Sequence, residues 1–233
     1  MITFHVITLF PESLESYLNA SIVRRAGERG LISVKCYNPR DFVAVPKGKK
    51  ADKLSFADRR VDKRPYGGGP GMVIEALPIL KAIDKAVGKK LAKAASAKKV
   101  KILFFSPAGE QFSNAAADSF KTLTDIVLIC GRYEGIDARV NQAFKTMPVS
   151  VGPYTLTGGE LPAMIVIDTV SRRIPGVLGD DLSIEESRIA SSDVYTRPEV
   201  LEFKGKKYKV PKVLLGGNHA LIDEWKLKGK KGK

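Results

Sequence analysis

Apolar and polar positions along the chain follow two periods, and the switches between them mark out a series of strands and helices. Ile2 to Leu9 is an almost unbroken β-branched and apolar run, which predicts a strand covered on both faces. From Pro11 to Glu28, Leu14, Leu18 and Ile22 recur at helical spacing and Gly30 supplies a stop, so one helix is expected there. Ile32 to Tyr37 predicts a second strand, closed by Asn38-Pro39. Lys47 to Gly71 has no period, being polar at first and glycine-rich at its end, and reads as a long loop. Ala76 to Val87 places Leu77, Leu80, Ile83 and Val87 on one helical face. The lysine- and alanine-rich stretch from Gly88 to Lys99 predicts a helix end and an exposed loop.

Three short apolar strands follow, each running into small or turn residues. Val100 to Phe105 leads to Ser106-Pro107-Ala108-Gly109, and Ile126 to Cys130 leads to Gly131-Arg132-Tyr133-Glu134-Gly135. A third strand near Met147 to Val151 leads to Gly152 and on to Gly158-Gly159. Helical patterns at Ala115 to Leu123 and Ile136 to Phe144 separate them. Continuous apolar strands alternating with helices predict an α/β fold around a mostly parallel sheet. Ligands of such sheets bind beyond the carboxyl ends of the strands, so the expected site is built from the loops at 106, 131 and 152.

Charge adds a partner to this picture. The 233 residues carry 39 Lys plus Arg against 25 Asp plus Glu, a formal net charge of +14. Residues 201–233 hold ten lysines against Glu202, Asp223 and Glu224, and residues 81–101 hold eight lysines against Asp84. Residues 47–64 hold eight basic residues against Asp52, Asp58 and Asp62. Basic patches on a near-neutral body fit a polyanion, and equally fit solvated, solubilising faces.

Several classes are disfavoured. No apolar run approaches the ~20 residues that would span a bilayer. The start, MITFHVITLFPES, has neither a basic n-region nor a small-residue cleavage site and reads as a strand. Cys36 and Cys130 stand alone without CxxC spacing, which predicts buried thiols and a cytoplasmic location. Gly67-Gly68-Gly69-Pro70-Gly71 fits neither a dinucleotide fingerprint nor a P-loop. No metal site is expected: His5 and His219 are the only histidines, His5 reading as core and His219 as a helix cap or partner contact.

Three blocks stand out: Arg64-Pro65-Tyr66-Gly67-Gly68-Gly69-Pro70-Gly71-Met72, Cys130-Gly131-Arg132-Tyr133-Glu134-Gly135-Ile136-Asp137 and the run GPYTLTGGELPAM from Gly152 to Met164. In these blocks the chain resembles the TrmD family of bacterial tRNA (guanine-N1)-methyltransferases, of the SPOUT class. Thr8 to Glu12, Asn38 to Phe42, Ile174 to Gly179, Tyr195 to Glu199 and Val210 to Ala220 extend the resemblance nearly end to end. It implies a trefoil-knotted SPOUT domain over 1–178, a flexible linker over 179–194 and a small basic helical tRNA-binding domain over 195–233. It also implies transfer of a methyl group from S-adenosylmethionine to N1 of guanosine at tRNA position 37, by a homodimer whose active site lies at the subunit interface. A Mg²⁺ requirement stays open.

The resemblance places the cofactor among the three loops already singled out. Val151, Gly152, Pro153, Tyr154, Thr155 and Leu156 would face the adenine. Gly131, Gly158 and Gly159 would allow close approach, Ser106, Pro107 and Pro162 would form walls, and Glu134 would face the amino end or the sulfonium. Guanine N1 must lose a proton to attack the methyl group, so a carboxylate base and a cation at O6 are both useful. By resemblance Arg172 is that cation. The family has Glu-Asp-Ser where this chain reads Glu185-Glu186-Ser187; aligned on the serine, Glu186 takes the base position, and aligned from Gly179, Ser187 does. A SPOUT methyltransferase acting on another RNA and a catalytically decayed RNA-binding protein are the alternative readings.

Overall fold

The computed structural model describes residues 1–93, 97–179 and 193–230. The chain forms two compact units, Met1–Leu178 and Gly179–Lys233. In the first, strands β1 (Ile2–Ile7), β2 (Ile32–Tyr37), β5 (Val100–Gln111), β6 (Asp125–Ile129) and β7 (Met147–Ser150) make one sheet in the order β2-β1-β6-β5-β7. All four pairings are parallel. A short antiparallel pair, β3 (Asp62–Lys63) and β4 (Val73–Ile74), closes the long loop between β2 and β5.

The helices are α1 (Glu12–Leu18), α2 (Ser21–Glu28), α3 (Ala76–Ile83), α4 (Asn114–Phe120), α5 (Arg139–Phe144) and α6 (Glu160–Ser171). The single helix expected over 11–28 is two, because Ser21 adopts the left-handed region at φ 47 and turns the chain between them. β1 and β6 are buried along their whole length, as strands covered on both faces must be. On one face Phe4, Val6 and Leu128 pack with Leu14, Phe120, Val166 and Ile167. On the other Ile7, Val127 and Ile129 pack with Ile79, Ile83 and Val140. Each such side chain contributes about 1.5–3 kcal/mol when fully buried. Cys130 is buried, whereas Cys36 is exposed on the edge strand β2 and corrects the expectation of two buried thiols.

A polar knot interrupts the second face. His5 and Asp125 are both buried, 2.9 Å apart from Nε2 to Oδ1. The carboxylate can only accept, so Nε2 carries the proton and Nδ1 accepts from the Tyr37 hydroxyl at 3.1 Å. Lys90 and the Thr124 hydroxyl donate to the same carboxylate. Burial pushes the imidazole below its ordinary 6.5, as do the Lys90 and Lys35 charges, against the pull of Asp125. Burial alone would raise the Asp125 carboxyl, but hydrogen bonds from Lys90, His5 and Thr124 prevail and hold it below 3.8. Both folded values are depressed, so both contributions to stability are present above the ordinary values and lost as the pH falls through the folded ones. Urea unfolding should therefore show stability falling below pH 6.5, by at most about 1.4 kcal/mol per pH unit from His5. His5→Gln should flatten the profile between pH 6.5 and 5, and an unchanged slope would remove the assignment.

The second unit holds more than the small helical domain expected. It carries an antiparallel hairpin of β8 (Val200–Phe203) and β9 (Lys206–Lys209), then α7 (His219–Lys230). The two-residue link Lys204-Gly205 has φ 51 and 71, the double positive φ that tight hairpins need. Tyr195 and Trp225 pack with ring centroids 6.1 Å apart. Asn218 rather than His219 accepts the capping bond at the start of α7, from the Leu221 N–H. Of the expected linker, residues 180–192 lie outside the described residues.

Candidate cofactor cleft

Beyond the carboxyl ends of β6 and β7, and beside the middle of β5, lies a cleft of about 220 Å³. Ser106 and Pro107 line it from the first loop, and Gly131 and Glu134 from the second. Val151, Gly152, Tyr154, Thr155, Leu156, Gly158 and Gly159 line it from the third, with Pro162 from α6. Of the expected cofactor residues only Pro153 is not on the wall. The first of these loops is not a strand end. β5 continues to Gln111 through a register shift between Phe105 and Glu110, so Ser106 to Gly109 bulge out of a strand that resumes beside β7. A Cβ at Gly109 would stand 2.5 Å from the Val149 nitrogen, which is why that position carries no side chain.

The second and third loops are tied together. The Gly159 N–H donates to the Gly131 carbonyl at 3.0 Å, and Arg132 and Gly158 form an antiparallel bridge. A Cβ at Gly159 would fall 2.5 Å from the Cys130 Cα, so this crossing needs glycine for close backbone approach. Gly131 differs: a Cβ there would meet Phe104 and Ile136 at ordinary distances of 3.7 and 3.8 Å. The packing does not forbid a side chain at Gly131, which lines the open cleft.

Glu160 opens α6 inside this crossing and is buried. Its carboxylate accepts from the Thr8 hydroxyl at 2.7 Å and pairs with Arg132 at 3.0 Å. The Arg132 guanidinium also stands 4.7 Å from the Phe10 ring centre. Neutralising a buried carboxylate this way avoids the several kcal/mol that an unpaired one would cost. Neither Arg132 nor Phe10 carries a signal that the spacing of residue types could reveal, and Phe10 meets Arg132 only through the fold. Tyr133, at the cleft with φ 58, is a further wall residue absent from the expected set. A non-glycine residue in that region is uncommon, and such residues gather at binding sites.

Glu134 faces the cleft while its N–H donates to the Met72 carbonyl at 3.0 Å. The glycine-rich loop ending at Gly71 rests against it so closely that a Cβ on Gly71 would meet Glu134 Cγ at 2.6 Å. The Tyr66 to Met72 loop is thus seated on a wall of the cleft. Tyr154 folds back over Gly152, its hydroxyl donating to the Val151 carbonyl at 3.1 Å.

Arg172 lies elsewhere. It caps the far end of α6, its N–H donating to the Asp168 carbonyl at 3.0 Å. The cleft touches the first turn of that helix at Pro162, so about 15 Å of helix separates the two. Beside Arg172, the Tyr17 hydroxyl donates to Asp168. Burial, the bond to Asp168 and its charge push the Tyr17 hydroxyl up to about 12, with Arg172 opposing. Glu186 lies outside the described residues. Among the described residues no group of three His, Cys, Asp or Glu side chains could hold a metal ion, and no helix is long and apolar enough to cross a membrane.

Known proteins match this chain throughout its length. A family model described as tRNA (Guanine-1)-methyltransferase TrmD matches residues 2–233. A tRNA (guanine-N(1)-)-methyltransferase from Vibrio campbellii is 43% identical over 232 residues, covering 98% of this chain and 85% of that one. One from Edwardsiella ictaluri is likewise 43% identical over 98% of this chain and 83% of its own. The crystal structure of tRNA (m1G37) methyltransferase from Aquifex aeolicus superposes with a TM-score of 0.73 at 36% identity, over 98% of this chain and 89% of that one. With a parallel sheet whose strand ends open into this cleft, and with matches that run from one end to the other, the chain belongs to the TrmD family of tRNA (guanine-1)-methyltransferases.

Proposed function

We propose that this protein transfers a methyl group from S-adenosylmethionine to N1 of guanosine 37 in tRNA. The observation that carries the reading is the cleft, whose walls come from the glycine loops of the family blocks. The fit of the cofactor rests on Gly131, which keeps open a space that packing alone would let a side chain fill. Phe104, Leu156 and Pro162 give an apolar slot for a purine, and the Glu134 carboxylate offers an anion to the ammonium or sulfonium. When bound, S-adenosylmethionine supplies an already activated methyl group. The protein then has to orient guanine, remove the N1 proton and stabilise negative charge on O6.

Arg172 is suited to the last task because its charge is permanent and forked. About 15 Å of helix lies between it and the cleft of its own chain, which supports a second subunit. The surface of α6 supports it too. Leu161, Ile165, Asp168 and Arg172 follow at spacings of four, three and four, and Leu161 and Ile165 are exposed although the opposite side of the helix is core. Two neighbouring apolar side chains left exposed opposite the core are what a partner surface would cover, so this stripe reads as a homodimer seam. Glu186 is proposed as the base for the N1 proton. The family's trefoil knot belongs to the same reading, supported by the crossing of 158–159 on 131–132. A cytoplasmic location and a tRNA-gripping role for residues 195–233 are proposed with it, and the latter is supported by their lysines.

Purified protein, labelled S-adenosylmethionine and tRNA transcripts bearing guanosine or adenosine at position 37 provide the test. Guanosine-dependent transfer is expected, and its absence would overturn the reading. Glu186→Gln should lose transfer while keeping cofactor affinity; unchanged transfer would remove the base assignment.

A further inference from the structure

The long basic loop carries an aromatic side chain that the core does not use. Phe56 is 80% exposed, at the start of a short turn over Ala57–Arg59. An apolar ring left in water forgoes the stabilisation that burial would give. Two features set it apart from an incidental surface residue.

The turn beneath it is braced. Asp58 accepts from Lys49 at 2.6 Å, from the Ser55 hydroxyl at 2.6 Å and from the Ser55 N–H at 2.9 Å. These bonds, that from Lys49 first, hold the Asp58 carboxyl down to about 2. Arg59 reaches Asp41 at 3.3 Å, which ties the turn to the segment after β2. The ring is therefore presented by an ordered turn.

The ring also ends a cation–aromatic ladder. Arg40 stands 5.7 Å from the Phe56 centroid and 5.5 Å from that of Phe10. Phe10 in turn is 4.7 Å from Arg132, on the wall of the cleft. Arg40 is itself fixed by donating to the Leu9 carbonyl at 2.8 Å. Three short rungs thus lead from the cleft to an exposed ring, amid the eight basic residues of 47–64.

We propose that Phe56 is a stacking platform for an unpaired base of the RNA substrate, with the surrounding lysines holding the phosphates on either side. The proposal rests on the tRNA-methyltransferase reading above and adds a contact site to it. Exposed aromatics in positive surroundings are what single-stranded nucleic acid requires, since every base has a π face and every link a negative charge. The charge of the loop selects RNA over an apolar protein partner.

Truncating such a platform typically costs about 1–3 kcal/mol per base, about a 5- to 150-fold loss of affinity. Phe56→Ala and Phe56→Leu should weaken tRNA binding by that factor, measured by fluorescence anisotropy with the full-length protein. Phe56→Trp should restore it. Turnover at saturating tRNA and affinity for S-adenosylmethionine should stay at wild-type values. Because the ring is exposed, none of these changes threatens the fold.

A direct readout uses an anticodon stem-loop with 2-aminopurine placed in turn at each loop position. The wild-type and Phe56→Trp proteins should quench its fluorescence at one position, and Phe56→Leu should not. Quenching at no position by wild type, equal quenching by Phe56→Leu, or tRNA affinity of Phe56→Ala within twofold of wild type would overturn the proposal. This signal reads stacking without any methyl transfer, so a protein that quenches yet fails to methylate overturns the functional reading alone.

Discussion

Replacing Arg172 by alanine is expected to slow methyl transfer by about 100- to 1000-fold at saturating tRNA, the usual loss when one preorganised donor to a developing oxyanion is removed. Affinity for S-adenosylmethionine should change much less, because the role proposed for Arg172 is a contact to guanine O6 and not to the cofactor. The effect is electrostatic. As N1 attacks, charge moves onto O6, and a cation already in place gains energy with that charge. Binding of the neutral ground-state base gains much less, so the loss appears in kcat. Single-turnover transfer and calorimetric cofactor titration separate the two quantities. Equal losses in both would remove the transition-state role and leave Arg172 as a structural residue beside Asp168 and Tyr17.

The parts of this fold legible in the sequence are those governed by local pattern. β1 and β6 are continuous apolar runs because both faces are covered. α3 forms where the spacing predicts a helix, but its buried face is Ala76, Ile79, Ala82 and Ile83, and Leu77 of the expected face is exposed. The cleft was legible through its glycines, since a strand that ends in small residues leaves backbone open to a ligand. What stayed hidden depends on contacts distant in sequence. Ser106 to Gly109 has the composition of a turn, and only the backbone of β7 against Gly109 explains why β5 resumes after it. The pairing of Thr8 with Glu160 spans 152 positions and leaves no periodic trace.

Two further departures have local causes that the hydrophobic pattern does not carry. Between α1 and α2 the apolar spacing runs on through Ile22 and Val23 while Ser21 turns the backbone, so a continuous stripe covers two helices. In the second unit, all four residues of each hairpin strand are exposed. Without a buried face, β8 and β9 show little of the alternation that marks a strand, and the Lys204-Gly205 turn is their clearest signal. Arg172 shows a different limit. The sequence supplies its residue type, but its separation from the cleft of its own chain emerges only from the length of α6.

Substitutions at Gly131 should act on cofactor binding in proportion to side-chain length. Alanine places one methyl group at ordinary contact distances from Phe104 and Ile136, so Gly131→Ala should keep both the fold and most of the affinity. Leucine extends three more carbons into the cleft. Overpacking on that scale costs about 1–3 kcal/mol even where neighbours can yield, and a displaced cofactor forfeits its other contacts as well. Gly131→Leu should therefore weaken S-adenosylmethionine binding by about 100-fold or more. Its backbone φ is not in the left-handed region, so the melting temperature of the free protein should change little. Calorimetric binding and thermal melts check the two statements, and wild-type affinity in Gly131→Leu would place the cofactor elsewhere. The same variant tests the subunit assignment. Gly131→Leu and Arg172→Ala homodimers should both be inactive. A purified heterodimer of the two contains one site with an intact cleft and an intact Arg172 from the other chain, and should regain about half of wild-type turnover. If Arg172 served its own cleft, neither site of that heterodimer would be whole and no activity would return.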